Sequence, residues 1–152
     1  MRRLKTSIFA KITAVLYTFF CSGCLCGKEE ESHHHLFFGC RFAWHVWGLC
    51  SKWLGVSFVV HIDPVANFEQ FRLSSSSDSV NEVWSTIWVG VVSELWYHMN
   101  FVIFNRSVAD ALEVFSLIQI KIWYWISAKT RLAELFYSNW CLEPLVCMRL
   151  VL

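Results

Sequence analysis

The residues best suited to chemistry lie close together at residues 24–40. This segment carries the thiols of Cys24, Cys26 and Cys40 and three consecutive imidazoles, at residues 33–35. Three thiolates and one imidazole suffice for a tetrahedral zinc site, and zinc favours these soft and borderline ligands. Metal binding also supplies folding free energy that a short segment with few apolar residues lacks. The pattern therefore predicts a structural zinc knuckle with one zinc ion.

Catalytic motifs are missing from the sequence. Two-metal phosphoryl transfer needs clustered carboxylates, whereas Asp63, Asp78 and Asp110 stand alone in the sequence. The chain contains no Gly-rich phosphate loop, no Tyr-Ala-Asp-Asp motif and no His-Glu-x-x-His motif. We therefore expect a protein that is not an enzyme.

The segment around the thiols resembles a known domain family. Its two matching strings are Cys-Gly-Lys-Glu-Glu-Glu-Ser, from Cys26, and His-Leu-Phe-Phe-Gly-Cys, from His35, which is followed by Ala43 and by Val46-Trp47. They are similar to the zinc-binding domain that lies C-terminal to the reverse transcriptase in plant LINE-type (non-LTR) retrotransposons. The resemblance spans about residues 24–148, and its most specific part is the first twenty-five positions of that span. The remaining matches are Trp84, Trp88, Leu95-Trp96, Asn100, Ile103-Phe104 and the Trp-Cys-Leu-Glu-Pro string at residues 140–144.

The resemblance implies a ligand set for the zinc ion. The four implied ligands are Cys24, Cys26, His35 and Cys40. The family spaces its first two thiols as Cys-x₂-Cys, which would put the first one where this chain has Gly23. The tighter Cys24-x-Cys26 spacing predicts weaker zinc affinity than in the family. Two alternatives stay open: a Cys21-x₂-Cys24 pair, which would lose the turn at Gly27, and a set of free thiols in a degenerate sequence.

The resemblance also implies a role in nucleic-acid association. By that role the domain helps to hold RNA or DNA near the polymerase, so the implied partners are RNA or DNA, bound weakly, and a retroelement reverse transcriptase. The implied location is the nucleus or cytoplasm. Two features weaken the expected binding: the family's Trp-rich half upstream of the first thiol has no counterpart in residues 1–23, and Met99 stands where the family often has arginine. We therefore expect a truncated, non-catalytic remnant of the domain.

An alternative function follows from the first residues of the chain. Residues 1–5 are basic, residues 7–20 are mostly apolar, and small residues follow at positions 21–23. This is the layout of a secretory signal peptide, although Lys11 interrupts the apolar run. The alternative is a small secreted or membrane-associated Cys-rich protein, directed to the secretory pathway or a membrane by residues 1–23.

A second stretch, residues 83–105, is long enough to cross a bilayer. It contains Glu94, His98 and Asn100, whose polar groups make insertion into lipid expensive. We therefore expect a buried, very apolar core helix here.

Composition limits the size and the partners of the protein. The chain has 152 residues, of which 56% are hydrophobic and 17% aromatic, enough for one domain-sized core. Its net charge of +1 lacks the basic excess of a protein held to nucleic acid by many phosphate contacts. The seven cysteines are an odd number, which excludes a fully paired disulfide framework.

The candidate zinc ligands must be positioned by the fold of the chain. We expect a mainly α-helical fold, in which the knuckle leads into a helix that is followed by a loop and two long helices. The predicted segments are a leader (1–23), the knuckle with its helix (24–54), a Ser-rich loop or linker (55–78) and a helical tail (79–152). The first helix is predicted over residues 36–54 from apolar residues at steps of three and four: Cys40, Ala43, Trp47, Cys50 and Leu54.

The helical tail is predicted to contain two helices. The first begins with a capping box of Ser79 and Glu82, and its apolar face runs to Met99. The second is predicted from Ser107 to Phe136, with Asp110 in its first turn. About thirty residues would make a helix of roughly 45 Å, longer than a domain of this size, so this helix must break or project.

Overall fold

The structure is a computed structural model that describes residues 35–71 and 77–151. This part of the chain is mainly helical. A π-helical turn, His35–Gly39, comes first and a 3₁₀ turn, Arg131–Glu134, comes late. The α-helices are α1 (Arg41–Leu54), α2 (Pro64–Glu69), α3 (Asp78–Asn105), α4 (Ala111–Ser127), α5 (Tyr137–Leu142) and α6 (Pro144–Val151). Neither range contains a strand, so the predicted mainly α-helical class is confirmed.

The first predicted helix is divided in two. Cys40 has an extended backbone (φ −71°, ψ 137°) and forms the N-cap of α1, so the prediction of one helix over residues 36–54 is wrong at its start. The π-helical turn before it buries three consecutive apolar side chains, at residues 36–38, which a continuous α-helix would spread around its girth. The predicted apolar face is confirmed: Cys40, Ala43, Trp47, Cys50 and Leu54 are all fully buried.

The two longest helices, α3 and α4, pack side by side and antiparallel. Lys129, two residues beyond the end of α4, pairs with Glu82 of α3 at 2.7 Å, and Lys121 of α4 contacts Glu94 of α3 further along. At Gly90 of α3 the helices approach so closely that a Cβ atom would lie 2.6 Å from Cγ1 of Ile122. The expected apolar face of α3 is confirmed: Trp84, Ile87, Val91, Leu95 and Met99 are buried, and Val80, at its start, is half-buried against the core.

Both long helices begin at other residues than predicted. The N-cap of α3 is Ser77, whose Oγ accepts a hydrogen bond from the Val80 amide at 3.4 Å, so the predicted capping box at Ser79 is wrong. The N-cap of α4 is Asp110, which accepts from the amides of Leu112 and Glu113 at 2.9 and 3.2 Å. A carboxylate that satisfies two free amides fixes the N-cap at Asp110, three residues after Ser107, and the helix begins at Ala111.

The long pattern predicted from Ser107 breaks, and α4 ends at Ser127. The apolar face expected for this helix was Ala111, Phe115, Ile118, Ile122, Trp125, Lys129, Leu132 and Phe136. Ala111, Ile118 and Ile122 are buried as expected, but the prediction is wrong at Trp125 and Phe136. Val114 and Ile126 are buried, whereas Trp125 is 39% exposed and Phe136, beyond the helix, is 79% exposed. The close approach at Gly90 turns Ile122 toward α3 and leaves Trp125 at the edge of the contact.

The segment predicted as a loop or linker contains the short helix α2. Asp63 caps it by accepting from the Ala66 amide at 2.9 Å, and Pro64 occupies its first turn. The buried Asn67 of α2 accepts a hydrogen bond from Nε1 of Trp88 at 2.8 Å, which anchors the segment to α3. Asn67 and Phe71 are the buried residues of the described part of this segment, residues 55–71, and they join it to the core.

We expect the same substitution at two helical glycines to change stability in opposite directions. Gly90→Ala should lower the free energy of unfolding by about 1–3 kcal/mol, because its Cβ has no room against Ile122. Gly48→Ala should raise the free energy of unfolding by about 0.5–1 kcal/mol. A Cβ at Gly48 would meet no atom outside its own stretch of helix within 4 Å, and alanine is the better helix former. Urea unfolding of both variants checks this; stabilisation by Gly90→Ala would contradict the close packing of α3 on α4.

Candidate metal centre

The start of α1 brings together two of the four predicted zinc ligands. His35 begins the π-helical turn and Cys40 directly follows it. The Cys40 amide donates a hydrogen bond of 2.6 Å to the His35 carbonyl oxygen, which closes the turn. Cys24 and Cys26, the other two predicted ligands, lie outside the described residues.

Cys40 occupies a position that suits a metal-binding thiolate. It is the N-cap of α1, where the helix macrodipole favours negative charge. The thiolate is the form of cysteine that binds metal, and burial of the side chain would keep such a site closed to water. His35 is partly exposed. The donor types of both residues fit zinc.

The turn that carries these two residues is tied to the core by aromatic side chains. Nε1 of the fully buried Trp47 donates to the carbonyl oxygen of Phe37 at 2.9 Å. The Phe38 ring lies 6.3 Å from the rings of both Trp47 and Trp88 and nearly parallel to them. These contacts fix the turn against α1 and α3, and they therefore hold His35 and Cys40 in place whether or not a metal is bound.

The other described cysteines do not gather near Cys40. Cys50 and Cys147 are buried, and burial raises the pKa of both thiols above the usual range. A raised pKa keeps a thiol protonated, which disfavours metal binding and nucleophilic chemistry. Cys50 therefore fits the predicted role of a core side chain. Over residues 35–71 and 77–151, no three side chains of His, Cys, Asp or Glu come together as a metal site.

A cleft of about 540 Å³ lies beside the start of α4 and was not anticipated from the sequence. His45, Asp110 and Glu113 line it together with apolar side chains. Asp110 caps α4 with its carboxylate, and its amide donates to Nε2 of the buried His98 at 3.2 Å. The Asp110 carboxylate therefore serves the start of α4.

Comparison of the chain with protein-family models, with curated proteins and with solved structures found no match. Any assignment of family or function therefore rests on the residues themselves and on the geometry at the start of α1.

We expect Cys40→Ser to release zinc and Cys50→Ala to retain it. Serine is a good N-cap, so Cys40→Ser keeps the start of α1 while it removes a thiolate. Cys50 is buried on α1 away from the turn, and alanine fills most of its space. The measurement is the metal content of the purified, non-denatured protein by mass spectrometry, with about one zinc expected in the unsubstituted chain.

Two results would contradict this ligand assignment. One is less than about a tenth of an equivalent of zinc in the unsubstituted chain after purification in zinc. The other is equal loss of zinc from both variants, which would mean that the metal depends on the fold of α1 and not on the Cys40 thiolate.

Proposed function

We propose that this chain is a non-catalytic remnant of a retrotransposon reverse-transcriptase zinc-binding domain, and that it associates with nucleic acid. The observation that carries the proposal is the start of α1. There Cys40 caps the helix and His35 lies one hydrogen-bonded turn earlier. This is the position in which the resemblance places a histidine and a cysteine ligand, directly before a helix with the Ala43 and Val46-Trp47 pattern.

The burial pattern of α1 supports the proposal further. Ala43, Val46 and Trp47, which belong to the matching string, are fully buried, so the string forms the inner face of the helix. A knuckle packed on such a helix would be a structural unit, because zinc would join the preceding residues to a helix that is already fixed in the core. In this proposal the metal has a folding role and takes part in no reaction.

The expected partner is single-stranded RNA or DNA held by few charges. The net charge of +1 leaves no strong long-range attraction to phosphate. The sequence also places an acidic run at residues 29–31, close to the proposed knuckle, which opposes phosphate within a Debye length of ~8 Å.

We expect zinc-loaded protein to bind single-stranded RNA with at best roughly micromolar affinity at low salt, and the affinity to fade toward physiological salt. The reason is the small number of cations that can release counterions. A filter-binding titration at several salt concentrations measures this. Binding in the nanomolar range that survives physiological salt would contradict the proposal of a weakly binding remnant, and the absence of any binding at low salt would refute association with nucleic acid.

The alternative, a small secreted or membrane-associated protein, has one observation in its favour. Helix α3 is long and apolar enough to cross a membrane. Its most apolar stretch of 18 residues has a mean hydropathy of 1.3, and half of this stretch is buried inside the fold. The core helix of a soluble protein passes the same test, and the signal-like residues 1–23 lie outside the described residues. Cleavage of the chain in a cell-free translocation assay would favour the alternative. A diffuse nuclear or cytosolic signal from a fluorescent fusion would favour the proposed remnant.

A further inference from the structure

One face of α1 points to solvent and carries only basic, aromatic and small side chains. Its exposed residues recur at steps of three, four and seven, which places them on one side of the helix. They are Arg41, Trp44, His45, Gly48 and Lys52. The sequence of α1 contains no acidic residue, so nothing on this helix neutralises the two cations. We call these five residues the α1 outer face.

The two cations of the α1 outer face differ from most other cations of the described ranges. Lys121, Lys129 and Arg131 each form an ion pair with a glutamate, at Glu94, Glu82 and Glu134. Within residues 35–71 and 77–151, neither Arg41 nor Lys52 has an acidic partner, and both are exposed. Their charges are therefore available to an anionic partner from outside the protein.

Trp44 gives this face an aromatic platform. It is 62% exposed, although the neighbouring Ala43, Val46 and Trp47 are fully buried. Those buried neighbours fix the helix in the core, so Trp44 is presented from a rigid element. One turn along the helix, no atom lies within 4 Å of a Cβ built on Gly48, so the surface beside the indole is open to a flat ligand.

We propose that the α1 outer face binds single-stranded nucleic acid, with an unpaired base stacked on Trp44 and with Arg41 and Lys52 on flanking phosphates. The two cations are eleven residues apart, or roughly 16 Å along the helix axis, on either side of the indole. Stacking on an aromatic side chain requires an unpaired base, which selects single strands over duplexes. This inference rests on the proposed function and assigns a surface to it.

Charge and apolar area favour nucleic acid over other partners at this face. A lipid surface would need a broad apolar area, whereas Trp44 is the one large exposed hydrophobic side chain of α1. The combination of two unpaired cations with one exposed indole is instead the usual composition of a single-strand binding surface. His45, also exposed, lines the cleft that contains the carboxylates of Asp110 and Glu113, which would repel phosphate, so the phosphate contacts are assigned to Arg41 and Lys52.

The test is fluorescence anisotropy of a short labelled oligouridylate with the full zinc-loaded chain and its variants. Trp44→Ala should weaken binding about five- to 150-fold, the range of one lost base stack, and Trp44→Phe should restore most of the affinity because it keeps an aromatic ring. Arg41→Gln with Lys52→Gln should lower the slope of log affinity against log salt by about 1.4, since two phosphate contacts are lost.

Matched controls lie elsewhere on the surface. Tyr124→Ala removes an aromatic side chain that is 66% exposed on α4, and Arg106→Gln with Arg149→Gln removes two exposed cations outside α1. Both controls should bind as the unsubstituted chain does. All substituted positions are exposed, so each variant is expected to keep its helical circular dichroism and its zinc, and both are measured alongside binding.

Different failures point to different errors. If the unsubstituted chain does not bind the oligouridylate at low salt, the proposed function fails and the assigned surface fails with it. If that chain binds but the α1 variants lose no more affinity than the controls, the α1 outer face is refuted while the proposed function stands. Capture of the chain by phosphatidylserine vesicles, unaffected by Trp44→Ala, together with no RNA binding, would also overturn the inference.

Discussion

A buried indole must place its N–H against an acceptor, and this requirement fixes how the segments of the chain meet. Four tryptophans each donate to a group on another segment: Trp47 to the Phe37 carbonyl, Trp53 to the Trp140 carbonyl, Trp88 to the Asn67 side chain and Trp140 to the Gln119 carbonyl. Apolar contact alone is non-directional and tolerates sliding, whereas an unpaired N–H in the core costs about 1–3 kcal/mol. Each of these bonds therefore selects one register, and the first of them positions the turn that carries His35 and Cys40.

The difference between non-directional apolar contact and directional hydrogen bonds also explains what could and could not be predicted from the sequence. Periodicity identified the inner faces of α1 and α3 correctly, because residues such as Trp47 and Leu95 repeat at helical spacing and face the core. Helix ends depend on individual hydrogen bonds, which periodicity does not reveal. Ser77 caps α3 in place of the predicted Ser79, and α4 begins after Asp110 and not at the predicted Ser107. The expected face of α4 was correct at Ala111, Ile118 and Ile122 and wrong at Trp125, because the close approach at Gly90 of another helix places Ile122, and not Trp125, in the centre of the contact. For the metal centre, the resemblance implied four ligands, of which only His35 and Cys40 lie among the described residues.

Helix α3 shows how a core helix can have the length and hydropathy of a membrane span. Its polar groups are satisfied by neighbours in the fold. Glu94 pairs with Lys121, whose ammonium lies 4.6 Å from the centre of the Tyr97 ring, and His98 accepts a hydrogen bond from the Asp110 amide. A buried carboxylate without its cation would be strongly destabilising, so α4 must stay packed on α3 for α3 to keep its charge. Helices α3 and α4 therefore act as one unit. The hydropathy of α3 alone does not show that Lys121 of α4 neutralises its buried carboxylate.

The charge of the proposed zinc site constrains where nucleic acid can be attracted. Three thiolates and one neutral imidazole around Zn²⁺ sum to a net charge of about −1, so the knuckle itself would repel phosphate. The acidic run at residues 29–31 adds to that repulsion. Attraction must then come from the exposed cations of α1. Lys52 lies at the far end of α1 from Cys40, and Arg41, although next to the metal ligand, is exposed on the α1 outer face. In the proposed arrangement zinc would join the preceding residues to the start of α1, and the exposed face of that helix would bind the nucleic acid.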